Sequence, residues 1–166
     1  IKYLDSEFIS AARSIFDNKG HLVVIGMGKS GHDGRKISAT FASTGTPSFF
    51  INAAEANHGD IGMVNQKDIV LLLSNSGETA EIKYLFPFLD RISIKKIALT
   101  SKSESALSNF CDLKIMRFNF HLRYVLDVVL PGDWHAPQPW AAVASASLGF
   151  RLLLRLGVLP WSRASQ

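Results

Sequence analysis

The chain has 166 residues, 47% of them hydrophobic and 19% charged, with a formal net charge of +4. That length and balance describe one soluble globular domain with a single sizeable core. The one cysteine, Cys111, excludes an internal disulfide framework and suits a reducing compartment, so a cytoplasmic setting is expected.

The positive charge is unevenly placed. Residues 1–115 carry 13 basic and 12 acidic side chains, whereas residues 116–166 carry five Arg and two Asp. The body is balanced, so no nucleic-acid stripe is expected. Ile1 to Asp5 contain no basic-then-apolar signal. The most apolar stretch, Leu148 to Trp161, is interrupted by Arg151 and Arg155, so no membrane span is expected either. A chain that opens on Ile1 is expected to be a fragment of something longer.

Ile1, Leu4, Phe8, Ala11 and Ile15 alternate spacings of three and four and form the apolar face of a first helix, which Asn18-Lys19-Gly20 ends. Leu22-Val23-Val24-Ile25 is a continuous apolar run, read as a buried parallel strand. A turn over Gly26 to His32 leads into a helix to about Ser43. Thr44-Gly45-Thr46-Pro47 then turns into a second strand, Ser48 to Ile51. Asn52 to Asp60 is poor in large apolar residues and rich in functional groups. Ile69 to Leu73 is a third strand, and Ile82, Leu85, Phe86, Leu89 and Ile92 follow at helical spacing. Lys96 to Thr100 is a fourth strand, Ser105 to Asn109 a short helix, and Leu113 to Met116 a fifth strand. Strands that alternate with helices and are apolar throughout predict an α/β fold: a three-layer αβα sandwich with a five-stranded parallel sheet. Ligands in such sheets bind beyond the strand carboxyl ends, and the loops named here are all expected to follow strand carboxyl ends and to gather at one edge.

Two of those loops carry glycines and hydroxyls. Gly26-Met27-Gly28-Lys29-Ser30-Gly31 matches G-x-G-x-x-G between a strand and a helix, the pattern of a dinucleotide site. That reading wants an acidic residue at the end of the next strand, where Ile51-Asn52 stands. A P-loop reading needs glycine at Val23. A plain tight turn leaves the lysine and histidine at its lip unexplained. In Ser74-Asn75-Ser76-Gly77-Glu78-Thr79, three hydroxyls and a glycine precede a helix. Capping needs one such hydroxyl, and the surplus favours an anion, most simply phosphate. Glu81 either complements the helix dipole or acts as a general base. Lys29 is either a solvated charge or an electrophile beside a substrate oxygen. His58, in Asn57-His58-Gly59-Asp60, is either a loop residue or one donor of a larger ligand set.

Taken together, Gly26 to His32, Ala42 to Pro47, His58-Gly59-Asp60 and Ser74 to Thr79 resemble the sugar isomerase (SIS) domain over about residues 1–115. Within that family they look most like bacterial arabinose 5-phosphate isomerases. The resemblance implies interconversion of D-ribulose 5-phosphate and D-arabinose 5-phosphate through an enediol, feeding 3-deoxy-D-manno-octulosonate of lipopolysaccharide or capsule. It places the substrate phosphate on Ser74, Ser76, Gly77 and Thr79. It assigns sugar contacts to Ser30, Gly45, Thr46, Asn52 and His58, with Asn52 standing where the family carries histidine. Lys29 and Glu81 match catalytic positions. No cofactor is required, although His58 is also where a divalent metal, usually zinc, is found. A homo-oligomer, dimer or tetramer, is expected, with the first helix a candidate contact face. The family's usual paired CBS domains are not expected within residues 1–166.

After Met116 the resemblance stops. The family continues with an acidic residue, a Cys-Pro-x-Gly-Leu-Ala-Pro-Thr-Ser-type segment, a helix and a late catalytic histidine. Here the chain reads Phe118-Asn119-Phe120-His121 and later Pro131-Gly132-Asp133-Trp134-His135. All lysines lie at or before Lys114 and all tryptophans at or after Trp134. The expectation is one SIS domain over 1–166 whose tail, 116–166, is a frameshifted or divergent replacement. A helix over Ala141 to Leu156 is expected there.

Overall fold

A computed structural model describes residues 6–116. The expectations for residues 1–5 and for the tail from 117 onward lie outside that range. The elements in chain order are α1 (Ser6–Asp17), β1 (Leu22–Gly26), α2 (Gly28–Ser43), β2 (Ser48–Asn52), α3 (Ala53–Ala56) and a 3-10 turn (Asp60–Met63). There follow β3 (Ile69–Leu73), α4 (Ala80–Lys83), α5 (Phe86–Arg91), β4 (Lys95–Leu99), α6 (Ala106–Phe110) and β5 (Leu113–Ile115).

The five strands form one parallel sheet in the order β2-β1-β3-β4-β5. The apolar runs explain the order. β1 and β3 are buried along their whole length and pair with each other at the centre. A parallel strand covered on both faces has no polar side to show. Side chains alternate between the faces. Val23, Ile25, Val70, Leu72 and Ala98 join Ile82, Leu85, Leu89 and Leu107 of the α4–α6 layer in one core. On the opposite face α2 lies over β1 and β2, and α1 packs near β5. The three-layer expectation is met.

One helix is two. The periodic run from Ile82 to Ile92 is interrupted after Lys83, and α5 starts at Phe86 with Pro87 in its first turn. Pro87 has no N–H for the carbonyl four residues back, and its ring crowds that carbonyl. Leu85 N–H instead bonds Ile82 O at 3.1 Å, a tighter turn between the two pieces.

Candidate functional site

The register fixes where the loops emerge. Gly26 pairs with Asn52 on one side and Leu73 on the other, and Leu73 pairs with Leu99. The segments after β1, β2, β3 and β4 therefore leave the sheet along one edge. From β1 the chain passes to β2 on one side, while β3 lies on the other. The strand order reverses at β1 and β3, which is where open parallel sheets hold ligands. The Met27–Ser30 turn and the Ser74–Thr79 loop flank that point.

Of the G-x-G-x-x-G glycines the first is required by packing, and so is Gly34, three residues past the motif. A Cβ on Gly26 would stand 2.9 Å from the carbonyl oxygen of Ser30, and one on Gly34 would stand 2.8 Å from the Phe50 ring. Glycine lets the turn close and α2 settle on the sheet. The first turn of α2 has no side-chain cap, since Met27 precedes it. Lys29 and His32 are exposed there, and Ser30 is half-buried.

In the second loop the three hydroxyls have different tasks. Ser74 is 1% exposed. Its Oγ accepts the Gly77 N–H at 3.0 Å and shares a 2.7 Å hydrogen bond with Thr79 Oγ1. It shapes the loop from inside. Ser76 is exposed and accepts the Glu78 N–H at 3.2 Å, while Thr79 is half-buried. Gly77 has φ +69°, and a Cβ on it would strike Ser105.

The loop is strapped to the segment after β4. Ser101 N–H donates to Asn75 O at 3.2 Å, and Ser101 Oγ to Asn75 Oδ1 at 2.6 Å. Leu107 N–H donates to Gly77 O at 3.0 Å, and Ala106 N–H to Glu78 Oε1 at 2.7 Å. Lys83 Nζ meets Glu78 Oε2 at 3.0 Å. The Ala106 N–H first, and Lys83 second, hold the Glu78 carboxyl below its ordinary value.

Glu81 lies in the first turn of α4, half-buried. That helix is one turn long, so the helix field expected behind the loop is that of a single turn. The Asn57 side-chain amide donates to Glu81 O at 3.0 Å and to Ala53 O at 2.7 Å, which ties the segment carrying His58 to Glu81's backbone. Periodicity gave no sign of this residue's role. Its only signal was a side-chain amide beside His58. Asn52 is the N-cap of α3, its Oδ1 accepting the Ala54 N–H at 2.9 Å. His58 is exposed, its N–H bonded to Glu55 O at 2.9 Å. A zinc site takes three or four protein donors. Among the described residues no group of three or more His, Cys, Asp or Glu is placed to hold a metal, so they do not fit one.

Gly45 and Thr46 do not join this edge. They precede β2, whose first residue Ser48 pairs with Leu22, so they lie at the amino edge of the sheet. Five residues at about 3.3 Å each put roughly 16 Å of strand between them and the other candidates. Among the described residues no helix is long and apolar enough to cross a membrane.

The SIS domain family model matches residues 14–118. The arabinose 5-phosphate isomerase KdsD of Shigella flexneri is 49% identical over 114 residues, which are 69% of this chain and 35% of that protein. KdsD of Pseudomonas aeruginosa is 50% identical over 112 residues, 68% of this chain and 34% of that protein. The chain thus spans about a third of the length of the curated relatives it matches. Among solved structures, Escherichia coli CFT073 c3406 in complex with arabinose 5-phosphate superposes with a TM-score of 0.65 at 39% identity. That match covers 91% of this chain and 76% of the other.

Proposed function

This chain belongs to the SIS domain family, and on that premise we propose that it is an aldose–ketose isomerase of phosphorylated pentoses. Its substrates are D-arabinose 5-phosphate and D-ribulose 5-phosphate. The observation that carries the reading is that the Lys29 turn and the Ser74–Glu81 segment leave the adjacent carboxyl ends of β1 and β3, where the strand order reverses. The sugar phosphate bound to c3406 supports the choice of substrate.

In this reading the phosphate rests on the Ser76 and Thr79 hydroxyls and on Gly77, in a loop that Ser74 keeps in shape. Held at that remote end, the sugar presents C1 and C2 to Glu81 and Lys29. The Glu81 carboxylate takes a proton from C1 of the ketose, and the electron pair moves to the C2 oxygen, giving the anion of an enediol. The Lys29 ammonium stabilises the developing negative charge on that oxygen. The O1 hydroxyl proton passes to the C2 oxygen, and the O1 electron pair re-forms the carbonyl at C1 as Glu81 returns its proton to C2. The aldose is left, with Glu81 again a carboxylate. Ser30, Asn52 and His58 line the same edge and contact the sugar hydroxyls. Gly45 and Thr46 reach a sugar only in the site of another copy, so the reading includes a dimer or tetramer. A monomer by light scattering would sink that part.

A second reading is a SIS module that binds sugar phosphate without turning it over. It is favoured by the sequence after Met116, which supplies neither the second carboxylate nor the late histidine that the resemblance leads one to expect. Incubation with ribulose 5-phosphate separates the two. Appearance of arabinose 5-phosphate, lost in Glu81→Gln, supports the isomerase. A raised melting temperature without conversion supports the binding module.

A further inference from the structure

We infer that Glu78 is a positioning residue that holds the phosphate loop in its binding shape by capping the first turn of α6. The inference rests on the reading of Ser74–Thr79 as a phosphate loop.

An exposed glutamate beside a lysine is ordinarily a surface ion pair of little consequence. Here the lysine accounts for one oxygen only. The other, Oε1, accepts the Ala106 N–H at 2.7 Å across 28 residues of sequence. Ala106 is the first residue of α6, and its N–H is one of the donors that a helix start leaves unmatched. The Ser105 side chain serves the Ser108 N–H instead, at 3.2 Å. Glu78 therefore supplies from another element the acceptor that α6 lacks at its first position.

Placement in the loop gives the clamp its consequence. Glu78 stands between Ser76 and Thr79, and its own N–H holds Ser76 Oγ. Anchoring the Glu78 side chain fixes the backbone from which both hydroxyls project. Its charge is also dealt with. A free carboxylate here would repel a phosphate, but one oxygen is turned to Ala106 and the other to Lys83 at 3.0 Å.

The test is titration of inorganic phosphate and of arabinose 5-phosphate into wild type, Glu78→Ala, Glu78→Gln and Ala106→Pro. Proline suits the first helical position and removes only the donor, and the preceding Ser105 is already extended at φ −149°, ψ 162°. Circular dichroism establishes that each variant is folded. Loss of a charge-assisted hydrogen bond predicts about tenfold weaker binding in Glu78→Ala and in Ala106→Pro. The double variant is expected to be no weaker than either single one, because both remove the same contact. Glu78→Gln keeps an acceptor oxygen and is expected within about threefold of wild type. A wild type that binds both ligands, with Glu78→Ala binding equally well or with additive losses in the double variant, overturns the clamp alone. A wild type that binds neither ligand overturns the phosphate reading along with it.

Discussion

Replacing Gly77 by alanine tests the loop's architecture at its tightest point. The residue sits at φ +69°, where an L side chain costs about 1–2 kcal/mol relative to its usual conformations. The new Cβ would also strike the Ser105 side chain. Ser105 must move, and with it goes its hydrogen bond to the Ser108 N–H, a helix cap worth about 1 kcal/mol. The sum is about 2–3 kcal/mol, or a fall of about 4–12 °C in melting temperature for a chain of this size. Gly28→Ala is the control. Gly28 also has positive φ, +55°, but nothing lies within 4 Å of its Cβ position, so only the backbone term applies. Adding Ser105→Gly to Gly77→Ala should return the steric part, because glycine is a tolerable cap. Thermal unfolding followed by circular dichroism reads all of these. If Gly77→Ala melts within about 1 °C of Gly28→Ala, the steric argument is wrong.

Asn57→Ala removes the amide that joins Ala53 O to Glu81 O. It is expected to cost about 1–2 kcal/mol of stability and to lower turnover more than phosphate binding, as steady-state rates beside a phosphate titration would reveal. Burial first, and the neighbouring Asp112 carboxylate second, push the Cys111 thiol up to about 12. Its thiolate fraction near pH 8 then falls about a thousandfold below that of an ordinary thiol. Alkylation should be correspondingly slow until the protein is denatured, and a fast burst in the folded state would count against this. Because the Glu78 carboxyl is held low in the folded state, its contribution to stability is complete above its ordinary value of 4.5. It is lost as pH falls through the lower folded value. Acid-unfolding curves of wild type should lose that increment, and curves of Glu78→Gln should not.

The central strands were the most legible part of the chain. A parallel strand covered on both faces must be apolar at every position, so the apolar run marks Ile69–Leu73 at its observed bounds and Leu22–Ile25 to within one residue. The helix after the loop is two helices rather than one, and the periodicity does not reveal it because Ile82, Leu85, Leu89 and Ile92 keep one face across the break at Pro87. The proline was visible, yet a face pattern does not register a missing N–H. Within the site, composition located the loop but could not divide its labour. Ser74 and Ser76 are the same residue type two positions apart, and only the fold shows that the first is buried and the second exposed. The links that hold the loop, Glu78 to Ala106 and Asn57 to Glu81, span 28 and 24 residues and leave no local signature. Gly45 and Thr46 were different. Their place before a strand rather than after one already put them at the far edge.

The most direct test of the account is isomerisation run in deuterated water. Ribulose 5-phosphate is incubated with the purified protein, and the products are followed by proton NMR. A proton that Glu81 carries from C1 to C2 exchanges in part with solvent while it rides on the carboxyl, so arabinose 5-phosphate appears with a mixture of protium and deuterium at C2, and Glu81→Gln forms none. Product formed at an undiminished rate by Glu81→Gln, or no product and no binding by wild type, would contradict the account.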